Sequence, residues 1–388
     1  MKWFKVLLVN FSLLIGSIIL LGGLVELSCR VYLYFKPVPP VLSRWEFRAT
    51  CPPPYRNTDY FSSDFLNESM RCVDVYQPSG KGFILHKDFH GKYFNITNGL
   101  RVTTGQPADF RNRVLLFGGS TLFCQEVPDR HTIASYLQQI LNARQSSHYK
   151  VENYGTVAMN VAQQTERLLV TPVHPGDIVI FYDGVNDAYY SLAMTYIDGW
   201  RPGMEHFQVQ KLNRLQKLMH EIHLRYQNRS AAVRVLFDIY DRKPPVTLVD
   251  KEILGQNLAK MEEKYRQALI EAHRYVTRHG GKFYHFLQPN IISSQEITPY
   301  EQELTQNYLN NPPGFELSIR IGYPRLRKAN LTAQAEGVTS FDLTEVLAKR
   351  HPGEEFYFDL CHVNHVANQI IAQRMFELIL SKEKEKND

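Results

Sequence analysis

The stretch Val114-Leu115-Leu116-Phe117-Gly118-Gly119-Ser120-Thr121 decides the fold that we expect for this chain. A short apolar run, typical of a buried strand, meets two glycines and then two hydroxyl residues. An amphipathic helical pattern begins near Thr132. A strand ending in such a turn can present the next side chain at the carboxyl edge of a parallel sheet, where α/β enzymes place their chemistry. Taken alone, Gly-Gly-Ser-Thr is more often an ordinary turn, so partners elsewhere must decide.

Outward from this stretch, short apolar strands alternate with helical patterns to the end of the chain. After the first strand, the expected strands are Lys150 to Tyr154, Asp177 to Tyr182, Lys282 to Leu287 and Val338 to Leu343. A closing helix is expected from Asn364. Such alternation predicts an α/β domain with a mostly parallel sheet covered by helices on both faces.

The first 35 residues have a different character. Val6 to Val25 is an uncharged run of 20 residues, which is long enough to span a bilayer. A cleaved signal peptide is the alternative, but the run lacks an Ala-x-Ala-like site, and Cys29 lacks the neighbours of a lipoprotein site. Basic residues flank the run on both sides, so charge does not decide its orientation. We predict one uncleaved transmembrane helix in residues 1–35, with the bulk of the chain on the extracytoplasmic (periplasmic) side.

Residues 36–110 are predicted to form a Pro-rich stalk and an apron of strands and loops without a helical period. Cys51 and Cys72 flank part of this segment, and a disulfide between them is possible in an oxidising compartment. Arg101 follows a predicted tight turn at Asn98-Gly99, and the interpretation of this arginine as an ordinary surface residue stays open. The main domain is predicted at 111–388, with helical insertions at about 188–251 and 299–330.

Composition limits the class of protein. The 388 residues are 44% hydrophobic and 21% charged, which is typical of a globular protein with a sizeable core. The net charge is +5 without a long basic block, and the charges near the C-terminus alternate in sign. We therefore expect no nucleic-acid partner.

Four polar features each follow a strand or precede the closing helix: Ser120, Gly155, Asn186 and the pair Asp359 and His362. Loops at the carboxyl ends of parallel strands meet at one edge of the sheet, so these residues can form a single site. A nucleophilic serine needs a base, and the base needs an orienting group. We predict these roles for Ser120, His362 and Asp359, in that order.

An oxyanion requires hydrogen-bond donors. The backbone N–H groups of Ser120 and Gly155 and the side-chain amide of Asn186 are the predicted donors. Each residue also has a structural interpretation: Gly155 as a strand-end turn, Asn186 as the cap of a turn, and Asp359 as the N-cap of the closing helix. Asp187 is interpreted as a structural turn residue.

Four blocks in this order resemble the SGNH (GDSL-like) hydrolase superfamily. They are Phe117-Gly118-Gly119-Ser120-Thr121, Asn153-Tyr154-Gly155, Gly184-Val185-Asn186-Asp187 and Asp359-Leu360-Cys361-His362. The resemblance covers 113–380 and implies a three-layer flavodoxin-like fold and acyl-ester chemistry, including removal of acetyl groups from carbohydrates. The sequence therefore predicts a membrane-anchored serine esterase acting on O-acyl, above all O-acetyl, esters of an envelope carbohydrate or lipid.

Two alternatives stay open from the sequence. The same triad can transfer the acyl group to a sugar, because water exclusion depends on the insertions. The other alternative is a catalytically idle scaffold or a glycan-binding partner in an envelope assembly. A site plugged by the 188–251 insertion would favour this alternative. Tyr189, Tyr190 and Trp200 suit either sugar contact or core packing. Protein partners and oligomeric state are not predicted.

No cofactor or metal is expected. Asp359, His362 and His365 would share a helical face, but the set lacks further ligands at zinc-like spacing. Cys124 and Cys361 follow or adjoin the predicted triad members and are interpreted as buried structural residues.

Overall fold

The computed structural model describes residues 2–35, 44–74, 76–144, 149–196, 230–240, 251–306 and 315–385. The chain divides into two compact units. The first unit consists of residues 1–41 and 203–247, and the second consists of 42–202 and 248–388.

Within its described residues, the second unit contains ten strands in two sheets. The strands are β1 (Tyr76–Pro78), β2 (Ile84–His86), β3 (Phe89–His90), β4 (Asn95–Thr97), β5 (Leu100–Arg101), β6 (Asn112–Gly118), β7 (Tyr149–Asn153), β8 (Ile178–Asp183), β9 (Lys282–Leu287) and β10 (Thr339–Asp342). β1 and β2 form an antiparallel pair, and the others form one sheet in the order β10-β9-β8-β6-β7-β5-β4-β3. The strands from β10 to β7 pair in parallel, whereas β5, β4 and β3 pair antiparallel.

Helices connect these strands and cover the sheet. The described helices are α1 (Lys2–Phe35), α2 (Arg44–Ala49), α3 (Ser63–Asp74), α4 (Ser120–Phe123), α5 (Ile133–Ala143), α6 (Val161–Leu169), α7 (Val185–Tyr196), α8 (Ala231–Tyr240), α9 (Lys251–Arg278), α10 (Pro299–Gln306), α11 (Phe315–Ala335) and α12 (His365–Glu385). α5 packs against α12, while α9 packs against α6, α7 and α11.

The parallel strands have the doubly wound arrangement. The parallel strands lie side by side in the order β7-β6-β8-β9-β10. When they are numbered by their position along the chain, this is the 2-1-3-4-5 order of flavodoxin-like sheets. The chain moves from β6 to β7 in one direction and returns across β6 to β8. Since parallel crossovers are right-handed, this reversal places α5 and α6 on opposite faces. The predicted α/β fold with a mostly parallel sheet between helical layers is confirmed.

Local sequence explains the central elements. Leu115, Leu116 and Phe117 of β6 are fully buried, as expected for a strand covered on both faces. α5 begins after Thr132, whose side chain accepts a hydrogen bond from the backbone N–H of Ser135. α6 begins after Asn160 with a capping box. These features fix the two crossovers that flank β6.

The segment before β6 differs from its prediction. A helix, α3, and the strands β3 to β5 occupy the predicted apron, and β5 joins the main sheet beside β7. Residues 42–110 belong to the same compact unit as residues 111–202 and 248–388. Arg101 is fully buried and forms an ion pair with Asp129, so it is not an ordinary surface residue.

The two predicted insertions have different outcomes. α7 opens the first insertion, and residues 203–247 belong to the first unit. Residues 197–229 and 241–250, including Trp200, lie outside the described residues. In the second insertion, α11 joins β9 to the parallel strand β10 and packs on α9. The second half of the predicted 299–330 insertion, 315–330, is therefore part of the crossover helix that a parallel pair requires.

In the first unit, helix α8 packs against helix α1. Glu26 of α1 accepts hydrogen bonds from the backbone N–H of Ala231 at 2.9 Å and from the Ser230 hydroxyl at 2.8 Å. An acidic side chain at a helix start satisfies unpaired donors and complements the helix dipole. Within α1, Val9–Phe35 is long and apolar enough to cross a membrane, a property that signal sequences share.

The cysteines of the predicted stalk and apron are not joined to each other. Cys51 and Cys72 form no disulfide in this structure. Cys72 is buried in the core, and Cys51 has a left-handed backbone conformation with φ of 54°.

Candidate active site

The predicted site residues lie at the carboxyl edge of the central strands. Ser120 is the first residue of α4, directly after β6, and Asn186 is the second residue of α7, directly after β8. Asp359 and His362 lie in the turn that leads into α12. Because the strand order reverses at β6 and β8, their loops form the crevice in which doubly wound folds bind ligands.

Ser120, His362 and Asp359 form a continuous chain of hydrogen bonds. His362 Nε2 lies 2.8 Å from Ser120 Oγ, and His362 Nδ1 lies 2.8 Å from Asp359 Oδ2 and 2.9 Å from Oδ1. All three residues are buried. An imidazole that donates from Nδ1 to a carboxylate presents the lone pair of Nε2 to the hydroxyl, as a general base requires.

The local turn fixes the carboxylate that contacts His362. Asp359 Oδ1 accepts hydrogen bonds from the backbone N–H groups of Cys361 at 3.0 Å and His362 at 2.8 Å. The backbone N–H of Phe358 donates to the carbonyl of His362 at 2.8 Å, which closes the turn. The aspartate therefore orients the imidazole and also organises the loop that carries it.

Two predicted oxyanion donors lie at the Gly119–Ser120 turn. Ser120 begins α4, so its backbone N–H is not used inside the helix. Asn186 Nδ2 donates to the carbonyl of Met159 at 3.0 Å, which holds the amide and leaves its second hydrogen. A Cβ at Gly119 would lie 2.5 Å from Asn186 Nδ2, so only glycine permits this approach.

Gly155 differs from its predicted role. Its backbone N–H donates to Asn153 Oδ1 at 2.8 Å, and Asn153 Nδ2 donates to the carbonyl of Leu122 at 3.1 Å. This Asx turn occupies the donor that the sequence analysis assigned to the oxyanion. A Cβ at Gly155 would lie 2.5 Å from the backbone nitrogen of Phe123, so the glycine allows this loop to pack against α4.

The remaining polar candidates have structural positions. Asp187 is buried, and its Oδ1 accepts the backbone N–H of Val161 at the start of α6 at 2.9 Å. Burial and the neighbouring Asp183 raise the pKa of Asp187 well above its usual range. Tyr189 is buried and its ring packs against Phe315 at 4.9 Å, in agreement with core packing.

The cysteines near the site are buried, as the sequence analysis interpreted them. Burial raises the pKa of the Cys124 thiol to about 12, which leaves it unreactive. Cys361 Sγ lies 3.5 Å from His362 Nδ1.

Possible metal ligands near the site are already engaged. Across the described ranges, potential ligand atoms of Asp359, Cys361 and His362 lie within 4.8 Å of one another. Both ring nitrogens of His362 already bond to Asp359 and Ser120. His365 does not belong to this group, and its Nδ1 instead lies 3.4 Å from the Tyr60 hydroxyl. The arrangement fits proton transfer better than metal binding.

Three buried arginines were not predicted from the sequence. Arg48 donates to Asp359, Arg101 donates to the carbonyl of Phe123 at the end of α4, and Arg167 donates to the carbonyl of Tyr154 beside Gly155. Burial lowers the pKa of Arg167 to about 10. No local pattern separates these arginines from surface ones.

Comparisons with known proteins give fold-level similarity. No family model matches the chain, and no curated protein matches it. Solved structures that it resembles include LAE5, an α/β hydrolase from the metagenome of Lake Arreo, Spain, at 14% identity over 71% of this chain and 97% of that chain, with a TM-score of 0.38.

Two further solved structures are comparable. One is a lipolytic G-D-S-L family member from Veillonella parvula, at 11% identity over 69% of this chain and 97% of that chain, with a TM-score of 0.38. The other is Axe2, an acetylxylan esterase from Geobacillus stearothermophilus, at 14% identity over 70% and 95%, with a TM-score of 0.38. The solved structures to which the chain is similar thus include proteins described as hydrolases and esterases, each at a TM-score of 0.38.

Proposed function

We propose that the chain is a membrane-anchored serine ester hydrolase of the SGNH type. The observation that carries the proposal is the 2.8 Å contact between Ser120 Oγ and His362 Nε2, with Asp359 bonded to the other ring nitrogen. Serine, base and orienting acid in this order are the requirements of nucleophilic acyl transfer. The four sequence blocks that resemble the superfamily supply the same residues.

The chemistry follows from these contacts. Ser120 Oγ attacks the acyl carbon while its proton passes to His362 Nε2, and Asp359 stabilises the imidazolium. His362 then gives the proton to the departing alcohol oxygen, leaving an acyl group on Ser120. A water molecule repeats the attack with His362 as the base, which releases the acid and restores the serine hydroxyl.

The negative oxygen of each tetrahedral intermediate needs fixed donors. We assign this role to the backbone N–H of Ser120 and the second amide hydrogen of Asn186. Gly155, the third donor predicted from the sequence, can serve only if its N–H leaves Asn153 Oδ1. We therefore assign Gly155 no role in the oxyanion hole while its N–H is bonded to Asn153 Oδ1.

The substrate proposed is an O-acyl ester, above all an O-acetyl ester, on an envelope carbohydrate or lipid. The apolar length of Val9–Phe35 supports anchoring, which would hold the domain near such molecules. We also propose that the main domain lies on the extracytoplasmic side, where the proposed envelope substrate would be found. No cofactor or metal takes part in the proposed steps.

A fluorophosphonate probe tests the proposal on the full-length protein in detergent. Wild type, Ser120→Ala and Ser318→Ala are treated in parallel, and hydrolysis of an activated acetyl ester is measured on the same samples. Ser318 is the control, because it is a buried serine of α11 that is not among the predicted site residues. We expect labelling of wild type and Ser318→Ala only, and a fall in kcat of about 10⁴-fold or more in Ser120→Ala.

Two results would contradict the proposal. Labelling or turnover that persists in Ser120→Ala would show that another group is the nucleophile. A folded wild-type protein that neither labels nor hydrolyses the ester would favour an idle scaffold instead.

A further inference from the structure

A buried cluster lies behind the carboxylate of Asp359, and the proposed reaction steps do not use it. Arg48 Nη2 donates to Asp359 Oδ2 at 2.9 Å, and Arg48 Nε donates to Glu126 Oε2 at 3.1 Å. The hydroxyl of Tyr55 donates to the same oxygen of Glu126 at 2.8 Å. The carboxylate that holds His362 is therefore held by an arginine with its own counter-charge.

The cluster allows the arginine one orientation. The side chains of Arg48 and Glu126 are 0% and 2% exposed. Arg48 Nη1 donates to the carbonyl of Phe358 at 3.0 Å, and the guanidinium lies 5.2 Å from the centre of the Phe358 ring. All three guanidinium nitrogens are thus bonded to fixed acceptors, and the planar fork ties the backbone before Asp359 to its side chain.

Charge gives the cluster a second property. Burial alone would lower the pKa of Arg48, but the carboxylates of Glu126 and Asp359 more than offset this and raise the pKa above its usual range. Arg48 therefore stays cationic between two anions. Without it, two buried carboxylates would carry like charges in a poorly solvated region, and one would take up a proton. A proton on Asp359 would weaken the acceptor for His362 Nδ1–H.

We propose that Arg48 is a positioning residue for the ester hydrolysis, acting through Asp359. It fixes the angle of the carboxylate against His362 and keeps that carboxylate ionised, while Glu126 and Tyr55 hold the guanidinium. The inference deepens the proposed function and rests on it. It also links the site to helix α2, which precedes the predicted main domain.

The test separates positioning from general stability. The double variant Arg48→Met/Glu126→Gln removes both charges, so it leaves no lone buried cation or anion from this pair. In full-length protein in detergent, we expect kcat for an activated acetyl ester to fall about 10- to 100-fold, with KM within about three-fold of wild type. Arg48→Lys keeps the positive charge but lacks the planar guanidinium, so its kcat should lie between those of wild type and the double variant.

Arg101→Met/Asp129→Asn is the matched control, because it removes an equally buried ion pair that contacts no triad residue. Its kcat should stay within about three-fold of wild type. A folded Arg48→Met/Glu126→Gln protein with wild-type kcat overturns the inference, and so does an equal loss in the control. A wild type that neither labels nor turns over overturns the proposed function and the inference together. An active wild type with an unaffected double variant overturns the inference alone.

Discussion

Arg48 and Arg101 are alike in burial and chemistry but differ in what they hold. Both precede β6, both are fully buried, and both combine a carboxylate with backbone carbonyls. Arg48 bonds to Glu126, Asp359 and the carbonyl of Phe358. Arg101 bonds to Asp129 and to the carbonyls of Phe123 and Val127. Only the partners of Arg48 include a member of the Ser120–His362–Asp359 chain.

This difference separates the effect of a buried arginine–carboxylate pair on stability from its effect on catalysis. Breaking a buried ion pair leaves an uncompensated charge, so either arginine should contribute to stability. Catalysis should respond only where the partner of the arginine contacts the base. Arg101 bonds to the end of α4 and to the loop after it, but to none of the atoms between which the proposed proton transfer takes place. Stability and kcat should therefore separate between the two sites.

The largest expected effect comes from the residue through which Arg48 acts. Asp359→Asn should lower kcat about 10⁴-fold, because an amide favours the wrong imidazole tautomer. In that background, Arg48→Met should change kcat by less than about three-fold, since its target is already lost. The measurement is kcat for wild type, both single variants and the double variant. Independent, multiplying losses would show that Arg48 acts by another route.

Arg101→Met should have the opposite profile. We expect the free energy of unfolding to fall by about 3–5 kcal/mol, because Asp129 is left buried without its partner. The kcat of the folded protein should stay within about three-fold of wild type. Denaturant unfolding and ester hydrolysis on the same sample measure both quantities. A loss of kcat as large as that of Arg48→Met/Glu126→Gln would remove the distinction between the two arginines.

The fold was predictable because the periodic spacing of apolar residues can be recognised in the sequence without knowing which residues each strand or helix contacts. The range predicted for β9, Lys282 to Leu287, is the range observed, and α5 starts after Thr132 as its cap indicates. Topology likewise predicted that residues following β6 and β8 would approach each other. These inferences depend on residues near in sequence or on rules for sheets.

Arg48 could not be predicted because its partners are remote. Glu126 and Asp359 lie 78 and 311 residues away, and near a predicted transmembrane segment an arginine has an ordinary interfacial interpretation. Gly155 is a different case, because the competing acceptor is Asn153, two residues earlier. The Asn-x-Gly spacing was visible in the sequence and is compatible with an Asx turn, so this donor was open to a second interpretation.

Asp187 differs from Asp359 and Asp129, because the charged group next to it is the carboxylate of Asp183 rather than an arginine. Its raised pKa, caused by burial and Asp183, means that the folded protein holds a proton that the unfolded chain releases above about pH 4. Its contribution to stability is therefore complete below pH 4 and is lost as pH rises towards the folded value. Asp187→Asn keeps an acceptor for Val161 and needs no proton.

We expect Asp187→Asn to be more stable than wild type at pH 8 by about 1–3 kcal/mol, with the difference shrinking towards pH 4. Asp129→Asn is the matched control and should be destabilising at pH 8, because Asn cannot balance Arg101. Denaturant unfolding of the three proteins at several pH values measures both signs. If the two variants shift stability in the same direction, the presence of a buried arginine is not what distinguishes these carboxylates, and the contrast must lie in their backbone contacts instead.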